Sequence, residues 1–256
     1  MRSVLVAFEI LEAIAERQPV GVGEIARALE LPKSTVQRAL LTLAQGGWIR
    51  STHGEVTRWR LTTKPLVVGM RAAGLDGVRD AALPVMHRIR AEVNETTNLT
   101  LFEGNFAVLV ERLDSTHPVR TFAQLGVQAP LHASAAGRSI LSKLSPEIVD
   151  RILDGPLQRY TPFTLTDRDA VLEQVRLTRE RGYGLAMSEW NMGVSAIAAA
   201  IVVRSAETIG RIGGVLGSVG VSCPTHRMPL ELLEKLGPTL ATAADEIARG
   251  LEGRHT

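Results

Sequence analysis

Lys33, Ser34, Thr35, Gln37, Arg38 and Thr42 fall in one short stretch and together carry the chemistry of nucleic-acid contact. Lysine and arginine neutralise phosphates. Serine, threonine and glutamine hydrogen-bond to phosphate oxygens or to base edges in a major groove. Arg58 and Arg60 follow after a polar interval. Between Pro32 and Arg60 five basic residues (Lys33, Arg38, Arg50, Arg58, Arg60) stand against Glu55 alone. Over Met1–Thr62 there are 8 Lys/Arg and 6 Asp/Glu, while the remaining 21 of each sign cancel. The positive excess therefore sits where phosphate contacts would be made, and phosphate neutralisation supplies most non-specific DNA affinity.

The stretch Gly23–Ile49 has to position these groups, and it reads as two short amphipathic helices. Ile25, Ala26 and Leu29 share a face of the first. Leu31 and Pro32 break the pattern, Ser34 and Thr35 open the second helix, and Val36, Leu40 and Leu43 form its core face. Gly46-Gly47 stops it, because glycine adopts the positive φ that helix ends require. This is a helix-turn-helix pattern; an ordinary helical hairpin with a solvated face is the other reading. Upstream, Val4, Ala7, Phe8, Leu11 and Ile14 line a first helix that Gln18-Pro19 ends. Downstream, Trp48–Arg50 and Trp59–Leu61 read as strands of a hairpin centred on His53-Gly54. Three helices and a hairpin make a winged helix-turn-helix, with Arg58 and Arg60 on the wing. Trp48 and Trp59 read as a seam packing the wing on the helices in preference to base-stacking platforms, since strands this short need packing to hold them.

A chain of 256 residues suggests two domains on a prior of roughly 100–200 residues each. The spacing predicts a linker helix over Thr63–Ala73 with a stripe of Leu66, Val67 and Met70. A break at Gly74 and Gly77 follows, then a helix over Val78–Glu95 carrying Ala82, Val85, Met86, Ile89 and Val93. Such a stripe serves intrachain packing or a dimer seam, and the pairing of DNA half-sites favours the seam. Beyond it, strands at Asn98–Glu103 and Ala107–Leu113 flank the turn Gly104-Asn105, with a third expected at Val119–Phe122. Helices are expected at Ser134–Leu144, Pro146–Leu153, Arg168–Arg181 and Leu230–Leu251, and strands at Tyr183–Glu189, Val194–Arg204 and Ile209–Val221. The fold class is α+β, with helices on one face of a sheet. The expected division is 1–62 for the winged domain, 63–79 for the linker and 80–256 for the second domain.

Several function classes recede. No apolar run approaches the ~20 residues of a membrane span, and the N-terminus is an acidic amphipathic helix rather than a signal peptide. The cytoplasm is the expected compartment. Cys223 is the single cysteine, so neither an intramolecular disulfide nor a cysteine metal cage is available. The six histidines show no pair at metal-ligand spacing. Gly210–Gly217 has no helix opening behind it and is not a dinucleotide loop. His132 beside Ser134 lacks a placed acid. No cofactor is expected, and an enzyme whose N-terminal module merely oligomerises it is the rival reading.

Three segments resemble the IclR family of bacterial transcriptional regulators: Leu31–Leu43 followed by glycines, Pro130–Leu141 (PLHASAAGRSIL), and Arg181–Ile201 (RGYGLAMSEWNMGVSAIAAAI). Their order and spacing extend the likeness almost end to end. The resemblance implies a C-terminal GAF-like α/β effector-binding domain, a dimer or dimer of dimers, promoter DNA as partner, and control of a nearby catabolic operon by a small metabolite. The chain departs from the family in carrying Glu30 where the turn often has glycine, and in its glycine-rich segment after Val203.

Within the second domain, Ser134 is placed to cap a helix whose first turn holds only small residues. Free N–H groups and the helix dipole suit such an end to an anion. The alternative is a plain cap, and the resemblance tips the reading toward an effector carboxylate at Ser134 and Ala135. Opposite are expected Ser195, Ala196 and Ser218 from the two late strands, with Leu125, Gly126 and Met187 as apolar cover. Glu189 serves as a polar pocket residue or simply shapes a loop.

Overall fold

The computed structural model describes residues 2–52, 56–72, 75–203 and 212–253. It divides into two compact units, Met1–Leu75 and Asp76–Thr256. The turn at His53-Gly54, Gly74 and the start of the Gly210–Gly217 run lie outside the described residues.

The first unit contains α1 (Arg2–Arg17), α2 (Val22–Ala28), α3 (Lys33–Gln45), β1 (Ile49–Thr52), β2 (Arg58–Leu61) and α4 (Lys64–Ala72). Ile10 and Ile14 of α1, Ile25 and Ala26 of α2, Val36 and Leu40 of α3, Ile49 and Trp59 form its core. The wing is tied to the helices by paired main-chain bonds between Val20 and Trp59, at 3.0 and 2.8 Å. Trp59 is therefore a core residue and is withdrawn from any base. The expected face of α1 splits: Ile14 turns inward with Ile10, whereas Val4, Leu5 and Phe8 stay exposed.

Both helix ends around the turn are closed by left-handed residues. After α3, Gly47 has φ 73°. Trp48 N donates to Leu43 O and Gly47 N to Ala44 O, each at 2.9 Å, satisfying carbonyls that the helix leaves open. After α2, Leu31 N reaches back to Ala26 O in the same way, but the left-handed residue is Glu30, at φ 53°. A side chain there costs on the order of 1 kcal/mol, which the buried faces of α2 and α3 outweigh.

The second unit is built from α5 (Leu75–Val93), β3 (Thr96–Glu103), β4 (Phe106–Leu113), β5 (Gln128–Pro130), α6 (Ala135–Leu141), α7 (Pro146–Ile152), α8 (Arg168–Arg181), β6 (Gly184–Met187), β7 (Val194–Val202), β8 (Val215–Pro224) and α9 (Leu230–Glu252). One antiparallel sheet runs in the order β5-β4-β3-β8-β7-β6. Gly104-Asn105 closes the β3–β4 hairpin, with Glu103 opposite Phe106. The segment at Val119–Phe122 is not a strand; the third strand of this unit is β5. The central strands β3, β7 and β8 are buried almost continuously instead of alternately, as happens when both sheet faces are covered. Small residues let α6 lie close: Ala135 packs on Ala186 and Ala198. Helix α9 also packs on β7, and α5 joins α9 through Arg88 and Glu246. Helices thus cover both faces, not one.

Two glycines set the position of α6. A Cβ on Gly184 would stand 2.4 Å from Ala135 O, and one on Gly137 would stand 2.3 Å from Leu131 Cα. The start of α6 is therefore held against the sheet at a distance that no side chain could tolerate.

Candidate functional site

On α3, Val36 and Leu40 face the core, which leaves Lys33, Ser34, Gln37, Arg38, Leu41 and Thr42 exposed and Thr35 half-buried. Thr42 Oγ1 donates to Arg38 O at 3.0 Å, so its hydroxyl proton is already used within the helix. Arg60 is exposed on β2. Arg58 is engaged inside the unit: its guanidinium donates to Pro19 O at 2.9 Å and lies 3.1 Å from the Glu24 carboxylate. The structure thus gathers six cationic or hydrogen-bonding groups on α3, with Arg60 on the wing and Arg58 as a partly occupied cation.

The second unit encloses a cavity of about 380 Å³ on the α6 side of the sheet. Its floor comes from alternate residues of three neighbouring strands: Thr96, Asn98 and Thr100 of β3, Ser218, Gly220 and Ser222 of β8, Ala196 and Ala198 of β7. These polar groups are joined across the strands. Thr100 Oγ1 and Ser218 Oγ are 2.8 Å apart, Asn98 Nδ2 donates to Ser222 Oγ at 3.0 Å, and Thr121 Oγ1 lies 2.9 Å from the same Ser222 hydroxyl. Ser134, Ala135 and Ala136 close one end, and Phe122, Trp190 and Asn191 form part of the rim. Among the described residues no lysine, arginine or histidine lines the cavity.

Of the residues expected there, Ser134, Ala135, Ala196 and Ser218 meet at the cavity. Leu125, Gly126, Met187, Glu189 and Ser195 are not among its lining. Successive strand residues face opposite sides, so Ala196 points in and the buried Ser195 points away, donating to Thr225 Oγ1 at 3.0 Å. Leu125 is exposed on its loop, and Gly126 N bonds to Leu109 O at 2.7 Å. Sequence reasoning did not single out Thr96, Asn98, Thr100 and Ser222. A signal was present in polar Thr96, Asn98 and Thr100 at every second position of β3, and in Ser218 and Ser222 of β8 with Gly220 between them.

Glu189 has another task. Its carboxylate receives both Nη groups of Arg138, which is 1% exposed. Arg138 Nε also donates to His132 O at 3.1 Å and Nη1 to Leu185 O at 2.8 Å. The main chain of the same loop is pinned from the other side: Thr161 Oγ1 donates to Ser188 O at 2.6 Å and Thr164 Oγ1 to Glu189 O at 2.5 Å. Arg138 thereby ties α6, which ends the cavity, to the loop that carries Trp190 and Asn191 over it.

The groups that hinted at catalysis are engaged elsewhere. Ser134 Oγ accepts from Gly137 N at 3.0 Å and donates to Pro130 O at 2.7 Å. His132 Nε2 donates to Gln158 O at 2.9 Å, and burial holds its pKa below the ordinary histidine value, so it is neutral at pH 7. Burial pushes the Cys223 thiol up to about 12, which leaves no thiolate to act as a nucleophile.

A winged helix-turn-helix with an exposed cationic recognition helix, followed by a separate α+β unit around a polar-floored cavity, defines a DNA-binding regulator with a second, sensing-type domain. The chain matches the IclR helix-turn-helix domain over residues 3–53 and the C-terminal domain of bacterial transcriptional regulators of IclR type over residues 71–249. It is 31% identical over 248 residues to the HTH-type transcriptional regulator KdgR of Escherichia coli, covering 96% of this chain and 91% of that protein. It is 28% identical over 257 residues to the transcriptional repressor IclR of Escherichia coli, covering 99% and 91%. An IclR homolog from Microbacterium hydrocarbonoxydans, solved in complex with 4-hydroxybenzoate, superposes with a TM-score of 0.81 at 26% identity over 98% of this chain and 99% of that one. The Thermotoga maritima IclR shares the fold, with a TM-score of 0.78 at 24% identity and coverage of 98% and 99%. The chain belongs to the IclR family and is a DNA-binding transcriptional regulator of that type.

Proposed function

We propose that this regulator binds promoter DNA through α3 and the wing, as a dimer or dimer of dimers, and that a small organic acid in the second-unit cavity changes its hold on DNA. The observation that carries the effector reading is the cavity itself. It is of the size pockets for small ligands have, and its floor is a ladder of neutral hydroxyl and amide groups. With no cation in its described lining, a carboxylate would be met by hydroxyls and by the main-chain N–H groups of Ala135 and Ala136 at the start of α6. Trp190 and Phe122 suit an aromatic ring. The Microbacterium hydrocarbonoxydans relative, which was solved with 4-hydroxybenzoate, supports the same ligand class. The ligand acts by differential affinity for two quaternary states of the protein.

The test uses full-length protein, 4-hydroxybenzoate as the first of a panel of small carboxylic acids, thermal unfolding and a promoter-binding assay. An acid at about 100 times its Kd stabilises the folded state by about 2.7 kcal/mol and alters promoter affinity. Val127→Trp, which adds bulk at a half-buried position of the cavity wall away from the α6 packing, abolishes both effects while leaving DNA binding intact. A bound acid located away from Ser134 and Ala135, or a response that survives Val127→Trp, overturns the assignment.

For the assembly, the support is apolar surface left bare by a single chain. Val4, Leu5 and Phe8 of α1 (Phe8 54% exposed) and Leu66, Val67 and Val68 of α4 are all exposed. The stripe of the next helix is instead used within its own unit, where Val78, Ala82, Val85, Met86 and Ile89 are buried. Sedimentation of a Phe8→Glu/Leu66→Glu variant is expected to show a lower mass than the parent; an unchanged mass would remove α1 and α4 from the interface.

A further inference from the structure

We infer that Leu41 is a base-reading residue and that the feature it reads is the C5-methyl group of a thymine. The inference rests on the reading of α3 as the recognition helix and adds to it the one apolar group on that helix's outer face. Leu41 is 55% exposed. The other large apolar side chains of α3, Val36, Leu40 and Leu43, are turned into the core or packed against it. Leu41 instead stands with Gln37, Arg38, Thr42 and Gln45, which are exposed as well. Positions 34, 37, 38, 41 and 45 recur at three- and four-residue spacing and so share one face of a helix.

The geometry fits a groove. At about 1.5 Å of rise per residue, Leu41 lies about 5 Å along the axis beyond Arg38 and about 12 Å beyond Lys33. When the first two turns of α3 enter a major groove some 12 Å wide, the third brings Leu41 against base edges and not into solvent. Those edges present donors, acceptors and one apolar group, the thymine methyl. A leucine flanked by Gln37 and Arg38 can do nothing on a phosphate, and on a base edge it has only that methyl to bury. The polar neighbours then supply the hydrogen-bonding part of the readout, and Leu41 makes one position of each half-site a thymine.

The experiment uses full-length protein and a binding site selected from a random pool of duplexes. Each thymine of that site is replaced singly by uracil, which keeps every hydrogen-bonding group and lacks only the methyl. For the parent protein, one such replacement per half-site lowers affinity about fourfold, the worth of one buried methylene-sized group. Leu41→Ala, exposed and so expected to fold, binds the thymine site more weakly by a similar or larger factor and no longer distinguishes thymine from uracil there. The inference is overturned if no uracil substitution weakens the parent. It is equally overturned if parent and Leu41→Ala lose the same factor at the same thymine, or if Leu41→Ala changes the sedimenting mass, which would make Leu41 a subunit contact. If the pool yields no preferred sequence for the parent at all, the recognition-helix reading fails and this inference fails with it; a preferred sequence insensitive to uracil refutes Leu41 alone.

Discussion

Arg138→Met is expected to destabilise the second unit by about 3–5 kcal/mol, because it leaves the largely covered Glu189 carboxylate, 12% exposed, without its partner. The cost is large for a specific reason. Arg138 is fully buried, and all four of its hydrogen bonds are lost together: those to two main-chain carbonyls, His132 O and Leu185 O, and those to both oxygens of Glu189. Urea unfolding of the parent and the variant measures it. The double variant Arg138→Met/Glu189→Gln removes the stranded charge and is expected to recover a substantial part of the loss, since a buried pair as a whole contributes far less than breaking it costs. A single variant within 1 kcal/mol of the parent, or a double variant no better than the single, would show that the pair does not hold the loop. Where the loop loosens, Trp190 and Asn191 lose their fixed place over the cavity, so ligand-induced stabilisation should shrink in the double variant even after stability returns.

Lys33→Gln together with Arg38→Gln is expected to weaken promoter binding about thirtyfold at roughly 0.15 M salt, if each cation neutralises one phosphate. The salt dependence carries the diagnosis. The slope of log K against log salt should become shallower by about 0.9 for each contact removed, and the loss should be nearly uniform across DNA sequences. Arg58→Gln should change the slope less than Arg60→Gln, because Arg58 already serves Pro19 O and Glu24. Unaltered affinity and slope in the Lys33/Arg38 variant would mean that the outer face of α3 does not meet DNA.

The helix-turn-helix was legible because its determinants are local. Apolar residues at helical spacing, a break at Leu31-Pro32 and a Gly46-Gly47 stop together place the two helices, and α3 runs over Lys33–Gln45 between these signals. Helix α8 was equally legible, with the Asp167 side chain accepting from Ala170 N and Gly182 at φ 87°. The segment at Val119–Phe122 misled, because a short mix of apolar and polar residues such as Val-Arg-Thr-Phe suits a strand or a loop folded over a cavity; Phe122 lines the cavity rim. The Val4–Ile14 stripe misled for a related reason. Periodicity finds the apolar side of a helix, but not which part of it this chain covers and which it leaves bare.

The cavity shows the division most clearly. Glu189 and Arg138 are 51 positions apart, and nothing local to either predicts that they pair and leave Glu189 outside the pocket. Ser195 and Ala196 differ by one step along β7, and strand register alone turns the second toward the cavity and the first away. Composition, periodicity and local punctuation therefore settle most of the element types, the fold class and the cationic face of α3, since each depends on residues a few positions apart. Long-range packing chooses which strand faces enclose the cavity, which wing arginine is engaged by α2 and the turn before it, and which polar side chains meet across β3 and β8. Those outcomes depend on register and on contacts more than a hundred residues apart, such as Thr100 with Ser218, which exist only once the sheet has assembled.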